Sequence, residues 1–176
     1  MPTNVHARAA SATPSTAVAD VQRIVYASSA ARPWDDSELD AVLVKWRRNN
    51  AQCGITGMLV YHDENFLQLI EGPGPALNQL FSKLRGDPRH QKVVLLLRER
   101  IIERTFTDWP MGYARISVSE VQNVPGMTDF AQRRMSLQRL APRRAVMFLT
   151  AFRSGLFTGA APGGRPVAVP EDSSRD

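Results

Sequence analysis

The chain has 176 residues and a formal net charge of +5 at pH 7, a size that suits one ordinary domain with extensions. Cys53 is the only cysteine, which excludes a disulfide framework and a cysteine-based zinc cluster and favours a reducing compartment, the cytoplasm. No stretch has the roughly 20 apolar residues of a membrane span, and the N-terminus lacks the apolar run of a signal peptide, so we expect no membrane association.

Composition divides the chain into a folded middle and two polar ends. Residues 1–20 are rich in Ala, Ser, Thr and Pro, and residues 159–176 are rich in Gly and Pro, so we predict that both are disordered. Between them we predict a folded domain over residues 21–118 and a helical extension over residues 119–158.

The first predicted strand is "QRIVYAS", in which alternation places Ile24, Tyr26 and Ser28 on one face. A helix follows, because Asp35 and Glu38 have the spacing of a capping box and Gly54 can end the element. Its apolar stripe consists of Leu39, Val42, Leu43 and Trp46. Continued by three and four residues, this stripe reaches two amides, Asn49 and Asn50, which we therefore expect on or beside the buried face.

A hairpin is predicted next, because "ITGMLVYH" and "NFLQLIEG" read as strands separated by the polar turn Asp63–Glu64. The second of these strands carries Gln68 between Leu67 and Leu69, in a run that otherwise suits burial. An amide in that position needs hydrogen-bond partners.

A second helix begins at Gly74–Pro75 and ends near Gly86, and its apolar stripe consists of Leu77, Leu80, Phe81 and Leu84. "KVVLLLRER" predicts a fourth strand, apolar enough to be central or covered on both faces, and "WPMGYARIS" predicts a short fifth. The element order is that of an α+β, ferredoxin-like βαββαββ sheet. Right-handed crossovers then place both helices on one face and make the first and third strands neighbours.

In that fold four polar side chains converge on the helix-covered face: Tyr26, Asn49, Asn50 and Gln68. Burying amides without partners costs roughly 1 to 3 kcal/mol each, so the group either satisfies itself or serves a polar ligand. A slot between two helices, lined by aliphatic residues such as Val42 and Leu84, suits a flat heteroaromatic ligand whose edge matches the donor and acceptor of an asparagine.

Three segments in this order resemble BLUF domains, the flavin-binding blue-light sensors: "IVYASSA", "RRNNAQCGITGMLVYHDENFLQLIEGP" and "FTDWPMGY". The resemblance extends over about Val21 to Ser117. It implies a blue-light photoreceptor that binds flavin non-covalently, FAD in the first place, with FMN or riboflavin as alternatives.

The resemblance also implies roles for single residues. Tyr26 would donate an electron and a proton to the excited flavin, relayed through Gln68, whose amide would then rearrange its hydrogen bonds. Asn50 would hold the C4 carbonyl and N3 edge of the ring and Asn49 the opposite carbonyl or the ribityl chain. Two aliphatic residues would pack on the ring faces: Val42 and Leu84. Four residues would contact the ribityl and phosphate groups: Lys83, Asp87, Arg89 and His90. Three residues would take part in or transmit the change at Gln68: Ser28, Trp109 and Met111.

After Ser117, "DFAQRRMSLQRL" and "RRAVMFLTAFRSGLF" predict two short helices, too short for a cyclase or phosphodiesterase domain. They resemble the C-terminal helices of short BLUF proteins, which cover the other face of the sheet. We therefore expect no enzymatic activity, and signalling through a homo-oligomer or a separate effector protein. Six arginines and no acidic residue lie from Arg133 to Arg153, a basic surface that a partner can contact.

Residue patterns weigh against two other functions. An RNA-recognition module shares the element order and suits the positive charge, but it needs exposed aromatic residues on its central strands, and the third strand offers only Phe66. A small hydrolase needs a nucleophile beside a base, whereas His6, His62 and His90 are scattered and Cys53 has no evident base.

Overall fold

The structure, a computed structural model, describes residues 20–116 and 137–151. Five strands form one sheet in the order β4-β1-β3-β2-β5, and the elements are β1 (Val21–Ala30), α1 (Asp36–Gln52), β2 (Thr56–His62), β3 (Asn65–Pro73), α2 (Gly74–Arg85), β4 (His90–Arg100), β5 (Gly112–Arg115), a 3-10 turn (Leu137–Arg139) and α3 (Pro142–Ala151). The predicted ferredoxin-like α+β fold is confirmed. The predicted disordered ends apart from Asp20, most of the first predicted C-terminal helix and residues 152–157 of the second lie outside the described residues.

The central pairing of the sheet joins β1 to β3. The two strands are antiparallel neighbours, as predicted, and their register sets Tyr26 directly opposite Gln68. Cross-strand partners on one face have Cβ atoms about 5 Å apart, so the register alone brings these two polar side chains together.

Local signals position the first helix. The Asp35 side chain accepts a hydrogen bond from the Glu38 backbone, and the Glu38 carboxylate accepts one from the Asp35 backbone, which completes the predicted capping box. Gly54 follows the helix with φ of 62°, a conformation that favours glycine. The start and end of α1 therefore place Asn49 and Asn50 in its last turn.

The fourth strand differs from the prediction of a central or fully covered strand. β4 lies at the edge of the sheet, paired with β1 alone among the described strands, and Val94 and Leu95 are exposed. An apolar run gives the same local pattern whether a strand is central or peripheral, and only the pairing order distinguishes the two.

The sheet carries a separate apolar cluster on each face. The cluster beneath α1 and α2 includes Ile24 and Tyr26, and the cluster beneath α3 includes Val25 and Phe148. Successive residues of β1 thus point to opposite faces, as the alternation predicts. The described C-terminal helix packs on the face opposite α1 and α2, as expected.

Within residues 20–116 and 137–151, no helix has the length and apolar character that crossing a membrane requires.

Candidate functional site

A cleft of about 180 Å³ lies between α1 and α2 over the helix-covered face of the sheet. Its lining joins residues that are distant in sequence: Tyr26, Lys45, Trp46, Asn49, Asn50, Gln68, Leu80, Lys83, Leu84, Asp87, Arg89, His90 and Met111. Most of the predicted site residues are therefore in one place, and aliphatic side chains alternate there with polar groups.

A chain of hydrogen bonds crosses the floor of this cleft. The Tyr26 hydroxyl donates to Oε1 of Gln68, and Nε2 of Gln68 donates to Sδ of Met111 at 3.0 Å. All three side chains are buried. Gln68 therefore uses both ends of its amide, one on each neighbour, which accounts for an amide in an apolar strand.

Tyr26 is held as a neutral phenol. Burial, and secondarily the carboxylate of Asp87, raise the pKa of Tyr26 far above its ordinary value of 10.0. Its ring meets the edge of Phe81 with 5.7 Å between centroids. At neutral pH the hydroxyl keeps its proton and can donate it to Gln68.

The two asparagines of α1 lie in different environments. Asn50 is buried and its Nδ2 donates to the Pro110 carbonyl at 2.8 Å, whereas Asn49 is exposed at the edge of the cleft. Both asparagines were expected on or beside the buried face. Asn50 lies on that face, whereas Asn49 lies beside it and is exposed. Successive helix residues are about 100° apart, so only one of two adjacent residues can share the direction of Leu43.

His90 forms one end of the cleft and is almost fully buried. Its Nδ1 is 2.9 Å from Oγ of Ser28, its ring centroid lies 4.9 Å from that of Phe66 with the two rings tilted by 47°, and its Nε2 has no partner among the described residues. Burial lowers the pKa of His90 to about 4, so the imidazole is neutral at pH 7. An unpartnered nitrogen at a buried site is available for a ligand.

The mouth of the cleft carries charged side chains. Arg89 forms an ion pair with Asp87 at 2.6 Å, and its guanidinium lies 5.9 Å from the ring centre of Trp46. Hydrogen bonds from Arg89 lower the pKa of Asp87 to about 2. Two lysines, Lys45 and Lys83, also line this region, so cations outnumber the single carboxylate.

Three predicted residues are elsewhere. Val42 packs in the apolar cluster of this face without lining the cleft, and Ser28 contacts His90 rather than Gln68. Trp109 packs against the cluster of the opposite face, with its ring 5.6 Å from that of Phe106. Met111 therefore lies at Gln68, while Trp109 lies on the far side of the sheet.

Sequence reasoning missed several lining residues. Trp46 and Leu80 belong to the apolar stripes of their helices and were predicted only as core. Leu80 precedes Leu84 by four residues, so helical spacing could have placed it beside the slot. No sequence signal distinguishes Lys45 from other exposed lysines.

The residues present fit a flavin. The cleft is lined in part by the aliphatic Leu80 and Leu84, the Asn50 amide and the free Nε2 of His90 offer polar contacts for a ring edge, and the cations at the mouth suit a phosphate. By contrast, Phe66 is buried, so β3 has no exposed aromatic for base stacking. The described residues contain no cluster of metal ligands.

These features define a class: a ferredoxin-like sheet with a helix-covered cleft for a flat ligand and a tyrosine–glutamine pair at its floor. The sequence profile of the BLUF family, "Sensors of blue-light using FAD", matches residues 21–112. The chain belongs to this family of flavin-based blue-light sensors.

Relatives with known structures or descriptions agree. The chain is 35% identical over 133 residues to photoactivated adenylate cyclase subunit beta of Euglena longa, a match that covers 73% of this chain and 15% of that protein. It resembles the BLUF protein BlrB in its dark state, with 28% identity, a TM-score of 0.58 and coverage of 74% and 98% of the two chains. BlsA in its photo-activated state gives 28% identity, a TM-score of 0.60 and coverage of 74% and 94%.

Proposed function

We propose that the chain senses blue light through the hydrogen-bonded chain of Tyr26, Gln68 and Met111, with a flavin held in the adjoining cleft. The observation that supports this most is the position of Gln68, whose amide oxygen contacts Tyr26 on β1 and whose amide nitrogen contacts Met111, just before β5. Reorienting this one side chain changes both contacts at once.

The proposed ligand contacts follow from the lining. Asn50 and His90 would meet the polar edges of the ring, Leu84 would pack against a ring face, and Arg89 and Lys83 would face the phosphate end. When bound, the flavin would supply the absorption of blue light and accept an electron and a proton. FAD is the cofactor of the family, and the cleft also suits FMN and riboflavin.

The switching step belongs to Gln68. Its Oε1 accepts from Tyr26 and its Nε2 donates to Met111. A half-turn of the amide would exchange these atoms, so Tyr26 would meet a donor and the Met111 sulfur would meet an acceptor. The amide can rotate without a change of net charge. A change of charge would be costly, because the site is buried.

We propose that output proceeds through residues 119–158 to a homo-oligomer or a separate effector in the cytoplasm. The described part of that segment, α3, packs on the face of the sheet that lies behind the Tyr26–Gln68 pair. The apolar cluster beneath α3 includes Leu67 and Leu69, the two neighbours of Gln68 in β3. A shift of β3 would therefore move side chains on both faces of the sheet.

The test is an absorption spectrum of the purified protein in darkness and after blue light. We expect the bands of an oxidised flavin and a reversible shift to longer wavelength, because the altered amide makes a new hydrogen bond to the ring. A protein that stays colourless after incubation with FAD, FMN and riboflavin would contradict the proposal, as would a bound flavin whose spectrum does not respond to light.

A further inference from the structure

Helix α1 holds the segment before β5 through two side chains. Nε of Arg47 donates to the Met111 carbonyl at 2.9 Å, and Nδ2 of Asn50 donates to the Pro110 carbonyl at 2.8 Å. The two bonds hold consecutive backbone carbonyls, one helical turn apart on the donor side. The backbone of Met111 is thus attached to α1, while its sulfur accepts from Gln68.

The contact removes part of the hydration of Arg47, because this residue is partly buried. Its Nη2 is buried and has no partner among the described residues, and burial lowers the pKa of the guanidinium, against a smaller opposing effect of Asp40. Its neighbour Arg48 is exposed. A buried cationic donor is costly unless its bonds are strong, and a bond from a charged donor to a carbonyl is among the stronger ones.

We propose that Arg47 is a positioning residue: by fixing the Met111 backbone, it keeps the Met111 sulfur where Gln68 can donate to it, and it carries a displacement of that segment to α1. The inference rests on the proposed function, because Gln68 is the group on which Arg47 acts. Arg47 itself does not line the cleft. It therefore affects the switch without holding the ligand.

The test compares Arg47→Met with Arg48→Met in flavin-loaded, full-length protein. Methionine keeps the long aliphatic stem and removes the donors. We expect Arg47→Met to bind flavin within threefold of the wild type and to form the red-shifted state, which then persists about tenfold longer in darkness. Dark recovery is slowed because the Met111 sulfur, no longer fixed through its backbone, is less often in position to accept from Gln68. A tenfold change in this rate corresponds to about 1.4 kcal/mol in activation free energy. Arg48→Met should match the wild type.

A double-variant cycle shows whether Arg47 acts through Met111. In Met111→Leu the sulfur acceptor is absent, so adding Arg47→Met should leave the dark lifetime within twofold of Met111→Leu alone. A tenfold further change in that background would mean that Arg47 acts elsewhere and would overturn the inference. An unchanged or shortened lifetime in Arg47→Met alone would also overturn it.

Two further results keep the test decisive. If Arg47→Met fails to fold, Arg47→Lys replaces it: lysine keeps the charge but not the side-on donor of a guanidinium, and a lifetime equal to the wild type would count against the proposal. If the wild type itself shows no light-induced shift, the proposed function fails. If the wild type shifts and the Arg47 variants behave as it does, only this inference fails.

Discussion

Gln68 is buried between two strands and satisfies both ends of its amide, with the Tyr26 hydroxyl on one side and the Met111 sulfur on the other. Sulfur is a weak acceptor, so the second bond is easier to exchange than the first. The side chain is therefore held in one orientation without being locked, which a reversible switch requires.

Replacing Gln68 with leucine separates ligand binding from switching. The volume stays similar and Asn50, Leu84 and His90 remain, so we expect Gln68→Leu to bind flavin. The reversible red shift should disappear, since an alkyl group has no donor. Light-minus-dark difference spectra measure this.

Tyr26→Phe is the companion variant for that experiment. It keeps the Gln68 amide and removes only the hydroxyl, so it too should load flavin and lose the reversible shift. A Gln68→Leu protein that holds flavin and shows the full shift would remove the glutamine from the mechanism.

His90 predicts a pH dependence of stability in the flavin-free protein. Burial lowers its pKa from 6.5 to about 4, against the attraction of Asp87, so the unfolded chain binds more protons between these values. Stability is present above about pH 6.5 and falls as the pH drops towards 4, by about 1.4 kcal/mol per unit for one such group. Urea unfolding at several pH values measures the slope.

His90→Phe tests the assignment, because phenylalanine preserves the ring that packs on Phe66 and cannot titrate. The slope between pH 6.5 and 4 should flatten in this variant and persist in His62→Gln. Equal slopes in the wild type and His90→Phe would show that another group titrates.

At the scale of elements, the segment between β4 and β5 is attached to the sheet by Glu71. This carboxylate has no exposed surface, and it accepts from the backbone of Thr105 at 2.8 Å and of Phe106 at 3.0 Å. Arg23 donates two bonds to its other oxygen, at 2.9 and 2.7 Å. Glu71 thus holds the start of the segment whose end carries Met111.

We expect Glu71→Leu to lower the free energy of unfolding by about 3 to 5 kcal/mol, the usual effect of removing one partner of a buried ion pair. The variant leaves the largely buried Arg23 with Glu99 as its remaining carboxylate partner and removes the acceptor of two backbone N–H groups. Urea denaturation of the flavin-free protein is the measurement.

Glu99→Leu is the matched control, because Glu99 pairs with the same arginine at 3.1 Å while its side chain is 41% exposed. Exposed pairs contribute about 0 to 1 kcal/mol, so this variant should unfold close to the wild type. Equal losses in the two variants would argue against a special role of the buried carboxylate.

For the whole molecule, the sheet lies between two layers with different tasks. The layer of α1 and α2 contains the cleft, and the described part of the C-terminal segment covers the opposite apolar cluster. Because both layers pack on the same strands, movement at Gln68 has a short physical path to the α3 side.

We expect illumination to change the assembly of the full chain. The molar mass from light scattering, recorded in darkness and under continuous blue light, should differ in the wild type and should not differ in Gln68→Leu. Identical masses in the wild type, together with identical retention of candidate effectors in pull-downs, would contradict this form of output.

Much of the fold follows from short-range patterns. The capping box at Asp35, the glycine after α1 and the turn at Asp63–Glu64, where φ is 45° and 58°, are local in sequence and were predicted correctly. The pairing of Tyr26 with Gln68 also follows, because alternation assigns the face and the topology assigns the neighbour.

Other features depend on contacts between distant parts of the chain. Four features have no signal in periodicity: the edge position of β4, the placement of Trp109 and Met111 on opposite faces, the hydrogen bond between Ser28 and His90, and the attachment of Met111 to Arg47. Periodicity reports which face of an element is apolar, but it contains no information on which element lies against that face. Only the three-dimensional packing decides that, because the energy of a buried hydrogen bond depends on partners that can be separated by any distance along the chain.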